Sequence, residues 1–115
     1  MLIKYKKMYE KFAMGLLSFM PDERDIKQLQ QTMKNYETNE NWQLFLWKDE
    51  DIIGLVGAEI FTNSIEIHHI SVNPAFRQQG VGKSMIQALK EVYSDKELKA
   101  NEYTGAFLGK CENRG

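Results

Sequence analysis

The sequence predicts an α/β domain of the α+β kind, a mostly antiparallel central sheet flanked by helices, on three observations. Apolar residues recur at three and four residues before position 37 and again after position 80, the spacing of one helical face. Dense apolar runs fill the middle of the chain, and the turns between them are too short for any but antiparallel neighbours. A chain of 115 residues is sized for one core, so a single domain over 1–115 is expected.

Residues 2–7 alternate apolar and basic side chains, which reads as a short opening strand with its lysines in solvent. Tyr9, Phe12, Ala13, Leu16, Leu17 and Met20 then mark one helix, and Ile26, Leu29, Met33 and Tyr36 a second, with the break at Met20-Pro21. Trp42–Trp47 is a strand that runs into the acidic turn Asp49-Glu50-Asp51. Ile52–Phe61 is the next, carrying Gly54 and Gly57, and Thr62-Asn63-Ser64 turns it into a third, Ile65–Val72. Trp42, Phe45, Trp47 and the methionines at 14, 20 and 33 fit core faces better than an exposed aromatic surface.

In the third strand Ile65 and Ile67 have one parity, Ile70 and Val72 the other. A β-bulge near His68-His69 would return all four to one face and bend the strand; the alternative is burial of both faces. Val81, Met85, Leu89 and Val92 mark a third helix. Leu98-Lys99-Ala100 reads as a short strand, and Thr104 as the cap of a last helix through Phe107, Leu108 and Cys111.

With 43% hydrophobic and 27% charged residues the composition is that of a folded protein. A net charge of −1 provides no field to gather nucleic acid or an anionic membrane, and no apolar run is long enough to span a bilayer. One cysteine cannot close an internal disulfide and the N-terminus lacks a secretion signal, so a cytoplasmic location is expected. No Cys/His cluster has metal-ligand spacing, and adjacent strand histidines should point to opposite faces, so no metal is expected.

The chemistry concentrates in Arg77-Gln78-Gln79-Gly80-Val81-Gly82-Lys83-Ser84, two glycines at the start of a helix. Glycine admits close backbone approach, and the first helical turn offers unpaired N–H groups and a favourable dipole. With Arg77 and Lys83 beside it, the segment is suited to a phosphate or pyrophosphate. A nucleotide P-loop would need glycine where Arg77 stands. A dinucleotide fingerprint would need glycine in place of Met85 and a parallel βαβ unit.

With Arg77, Gly80 and Gly82 following Val72-Asn73-Pro74, the segment resembles the coenzyme A loop of the GNAT superfamily of N-acetyltransferases. The order of elements is similar over roughly residues 2–112. Ile70-Ser71-Val72-Asn73-Pro74 and the Met14–Met20 region look most like a small branch of that family encoded in riboflavin-biosynthesis operons of Gram-positive bacteria.

The resemblance implies acetyl-CoA as co-substrate and direct acetyl transfer to a primary amine of a small molecule or a protein. Ile70, Ser71 and Val72 would pair with the pantetheine arm, and Ile70 N–H would face the thioester oxygen. Gln78, Gln79, Gly80, Val81, Gly82, Lys83 and Ser84 would hold the pyrophosphate with Arg77, while Asn101 and Phe107 would contact the coenzyme.

A base near the bulge is needed to take the amine's proton, and family members that use a glutamate on this strand have similar spacing, so the resemblance makes Glu66, eleven residues before Arg77, the candidate; a solvated strand glutamate is the alternative. His68 and His69 are read chiefly as packing at the bulge, with a direct acid/base role as the alternative. Leu108 stands where a tyrosine usually protonates the leaving thiolate, and Tyr103 could substitute. Two strands that usually follow the last helix are not within the 115 residues, so the fold is expected to be truncated at its C-terminus. A homodimer or a partner protein would then supply one wall of the acceptor site. The rival to the enzyme is a non-catalytic acyl-CoA-binding or regulatory module.

Overall fold

A computed structural model of the chain describes residues 1–105. Five strands form one sheet in the order β1 (Leu2–Lys4), β2 (Trp42–Asp49), β3 (Asp51–Ile60), β4 (Ser64–Val72) and β5 (Glu97–Ala100). The first four are antiparallel in sequence, as the short turns require. β5 is parallel to β4, because helix α3 (Val81–Val92) intervenes as a crossover. One ground for rejecting a dinucleotide fingerprint therefore falls, since β4–α3–β5 is a parallel βαβ unit. Met85, fully buried in place of the third glycine, keeps the rejection.

Helices α1 (Glu10–Leu17) and α2 (Ile26–Thr38) cover the other face of the sheet. They are separated by the short 3-10 turn Pro21–Glu23, consistent with the break expected at Met20-Pro21. Asp25 caps α2, its side chain accepting the Lys27 N–H at 3.0 Å. Within the expected helical stripes, Ala13, Leu16, Leu17, Leu29, Met33 and Tyr36 are buried. Phe12, Ile26 and Val92 are exposed instead. Ile26 and Val92 are the terminal residues of their helices, where a stripe overruns the sheet beneath it.

The bulge in β4 is present. Gly57 pairs with His69 but Ala58 with Ile67, so His68 is the extra residue. Ile65, Ile67, Ile70 and Val72 consequently all enter the core beneath α3, with Phe45, Val56, Met85 and Leu89. Gly54 allows this helix to approach closely: a Cβ there would lie 3.0 Å from Met85 Sδ.

Asn101 caps the turn that precedes Gly105, and the N–H groups that Thr104 was expected to cap lie outside the described residues. Asn101 Oδ1 accepts the N–H groups of Tyr103 and Thr104, each at 2.9 Å, whereas Thr104 Oγ1 donates to Ile67 O at 2.8 Å. Phe107, Leu108 and Cys111, and the helix expected through them, lie outside the described residues.

Candidate active site

β5 pairs with β4 only as far as Ile67. Beyond that point two side chains replace the missing strand: Thr104 takes the Ile67 carbonyl and Asn101 Nδ2 donates to His68 O at 3.2 Å. Asn101 thus holds the two strands where they part. Asn73 N–H donates to Ile53 O at 2.8 Å, which fixes the alternation along the rest of β4. His69, Ser71 and Asn73 direct their backbone groups at β3, and Ile70 and Val72 direct theirs into the cleft. Of the three strand residues expected to meet a ligand through the backbone, Ile70 and Val72 are so oriented and Ser71 is not.

β4 continues through a 3-10 turn, Pro74–Phe76, in which Asn73 Oδ1 accepts the Ala75 N–H. Gln78 and Gly80 have left-handed φ values of 65° and 80°. Gly80 tolerates this conformation at no steric cost, and it serves as the N-cap of α3 with no side-chain hydrogen bond. The N–H groups of Val81 and Gly82 thus have no intrahelical acceptor among the described residues, and Ser84 N–H opens the ladder to Gly80 O. Gln78, Gln79 and Gly80 are exposed around them. Arg77 serves the fold as well as the loop's charge: Nε donates to Val72 O at 3.1 Å and the guanidinium lies 5.4 Å over the Phe19 ring.

The bulge places titratable groups on the α1–α2 side of the sheet. The two histidine rings were expected on opposite faces. Their centroids are 6.4 Å apart instead, since a bulge turns both residues toward one side. His68 Nε2 is 3.1 Å from Glu66 Oε2 and 3.1 Å from Glu59 Oε1. Trp42 stacks on that imidazole at 4.8 Å, so this residue belongs to the site as well as to the packed face. Glu66 is about one-third exposed, close enough to solvent to exchange a proton.

His69 is buried, with Nδ1 2.6 Å from the Tyr36 hydroxyl and Nε2 3.7 and 3.8 Å from carboxyl oxygens of Asp22 and Glu23. Burial, then the acidic groups of Glu23, Asp22 and Glu59, push the Tyr36 phenol well above its ordinary range. Gly57 makes room for this phenol, as a Cβ there would stand 2.1 Å from its oxygen. Tyr103 is also raised, chiefly by neighbouring Glu102, which makes it a weaker proton donor to a leaving thiolate than an ordinary phenol.

Sequence reasoning missed Glu59, Tyr36, Trp42, Asp22 and Glu23. Glu59 could have been found, because the Thr62-Asn63-Ser64 hairpin sets it opposite Glu66. Asp22 and Glu23 carry no such signal.

Over residues 7–111 the chain matches the acetyltransferase (GNAT) family. A protein of Bacillus methanolicus described as an uncharacterized N-acetyltransferase in the lysA 3'region is 65% identical over 114 residues, which cover 97% of this chain and 95% of that protein. Among solved structures, AAC(6')-Iy bound to the bisubstrate analog CoA-S-monomethyl-acetylneamine is similar with a TM-score of 0.77 at 16% identity, over 99% of this chain and 86% of that one. A GNAT family acetyltransferase of Staphylococcus aureus gives 0.70 at 19% identity, over 89% and 85%. At such identities these two likenesses are of fold.

Proposed function

The chain belongs to the GNAT acetyltransferase family, and from that premise we propose that, as a single domain over 1–115, it transfers the acetyl group of acetyl-CoA directly to a primary amine. One observation carries the reading: β4, bulged at His68 and released by β5, leads from the Glu66–His68 pair past the outward-facing backbone of Ile70 to the uncapped start of α3. The residues fit the coenzyme. The α3 N-terminus offers N–H groups to its pyrophosphate, Lys83 and Arg77 add charge, and Ile70 and Val72 offer strand-like pairing to its pantetheine arm.

Coenzyme A supplies an activated acetyl group when bound; the chain supplies position and proton transfer. The amine nitrogen forms a bond to the acetyl carbon as the carbon–sulfur bond breaks, and the sulfur leaves as thiolate. Ile70 N–H donates to the carbonyl oxygen as charge develops there. Glu66, oriented by His68, takes the proton from the amine directly or through water. Asn101 acts by bonding to β4 at the point where β5 leaves it. The riboflavin-operon setting draws no support from the relative's description, which names a lysA neighbourhood.

Calorimetric titration with acetyl-CoA tests the reading. Micromolar binding that is lost in Gly82→Glu, which adds bulk and negative charge at the loop, is the expected result. No binding by the intact protein would overturn it.

A further inference from the structure

His68 Nε2 bridges Glu59 and Glu66 at 3.1 Å, but the neighbouring cluster has no such contact. Glu23 is 1% exposed, and among the described residues both of its carboxyl oxygens lack a hydrogen-bond partner. Asp22 Oδ1 is also buried without one. A buried carboxyl group with no partner is costly, and two beside each other more so. His69 Nε2 stands 3.7 and 3.8 Å from carboxyl oxygens of Asp22 and Glu23, too far for a direct hydrogen bond to either. The other ring nitrogen is already held by Tyr36. The three groups lie within 4.8 Å of one another, so their carboxyl oxygens converge on one space between Glu23, which is buried, and Asp22, whose side chain is 25% exposed.

Such a space suits a compact cation with several donors, and an ammonium group supplies three. It does not suit the reacting amine, since adjacent carboxylates favour the protonated form and the nucleophile must be neutral. The space lies beside the proposed base, with the His68 and His69 rings 6.4 Å apart. We infer that the acceptor is a diamine or polyamine-like cation, whose non-reacting ammonium is bound by the carboxylates of Asp22 and Glu23 beside His69 while its second amine meets Glu66. This rests on the reading of the chain as acting on an amine.

The test is NMR of the histidine imidazoles during titration with putrescine and, separately, with n-butylamine. Putrescine is expected to shift the His69 signals with roughly tenfold or greater tighter binding, the effect of one added charge-assisted contact. Glu23→Gln is expected to abolish the difference while leaving acetyl-CoA binding intact. Asp22→Asn, at the partly exposed mouth, repeats the test without disturbing buried packing. Equal affinities for the two amines, or variants that keep the difference, would overturn the inference. So would a response of His69 to magnesium or zinc chloride but not to putrescine, which would make the cluster a metal site. Failure of the acetyl-CoA titration sinks the enzymatic reading separately, because amine binding is measured without coenzyme.

Discussion

Two histidines adjacent in sequence stand at the centres of two acidic clusters built in opposite ways. His68 takes its carboxylates from within the sheet: Glu66 two residues before it, and Glu59 opposite Glu66 in the β3–β4 ladder. Strand geometry sets both at 3.1 Å. His69 takes its acids from the Pro21–Glu23 turn, far away in the chain, and they stop at 3.7 and 3.8 Å. The first cluster is bridged by His68 and partly open to solvent, as the proposed proton transfer requires. The second is mostly buried and leaves carboxyl oxygens without a hydrogen-bond partner among the described residues, as the proposed ammonium binding requires. A single extra residue in β4 separates these roles, because the bulge turns both rings to one side while each keeps its own partners.

Substitutions that strike one cluster should break the comparison if the two are functionally alike. The largest effect is expected from Glu66→Gln. A missing general base costs about 10³-fold in kcat, roughly 4 kcal/mol of barrier, with acetyl-CoA affinity and thermal stability unchanged. Steady-state kinetics beside calorimetry would check this, and a variant of undiminished turnover would remove Glu66 from the mechanism.

Gly57→Ala strikes the other cluster. The new Cβ would meet the Tyr36 phenol at 2.1 Å and force it away from His69. Overpacking of this kind costs about 3 kcal/mol, to be read from urea unfolding. Unaltered stability would mean that the ring has room to move.

Tyr36→Phe removes only the hydroxyl and should cost about 1–2 kcal/mol, since His69 Nδ1 loses its partner. The same variant sharpens the comparison through pH. The folded Tyr36 phenol retains its proton above the pH at which the unfolded phenol loses it, near 10. Its contribution is therefore complete below about pH 10 and lost above it, at about 1.4 kcal/mol per pH unit until the folded phenol ionises. Tyr36→Phe should make the alkaline decline shallower. Tyr5, pushed up to about 12 by burial and by Glu37, keeps it from becoming flat. An unchanged slope in denaturant series at pH 10 to 11 would show that Tyr36 is not the group responsible.

Much of this arrangement was legible in the chain. Period-two and period-3.6 spacing located strands and helices, because each side chain's direction follows locally from the backbone. The parity change between Ile67 and Ile70 predicted the bulge, since only an extra residue lets all four apolar side chains share a core. Gly80, Gly82 and the basic residues near them marked the loop. Distance in sequence hid the rest. That Asp22 and Glu23 meet His69, that Tyr36 crosses Gly57, that Trp42 stacks on His68, and that Asn101 bonds to His68 O where β4 and β5 part are contacts between residues 21 to 47 apart in sequence. Local spacing carries no information about such contacts. They were decided only when α1, α2 and their connecting turn packed against one face of the sheet and α3 against the other.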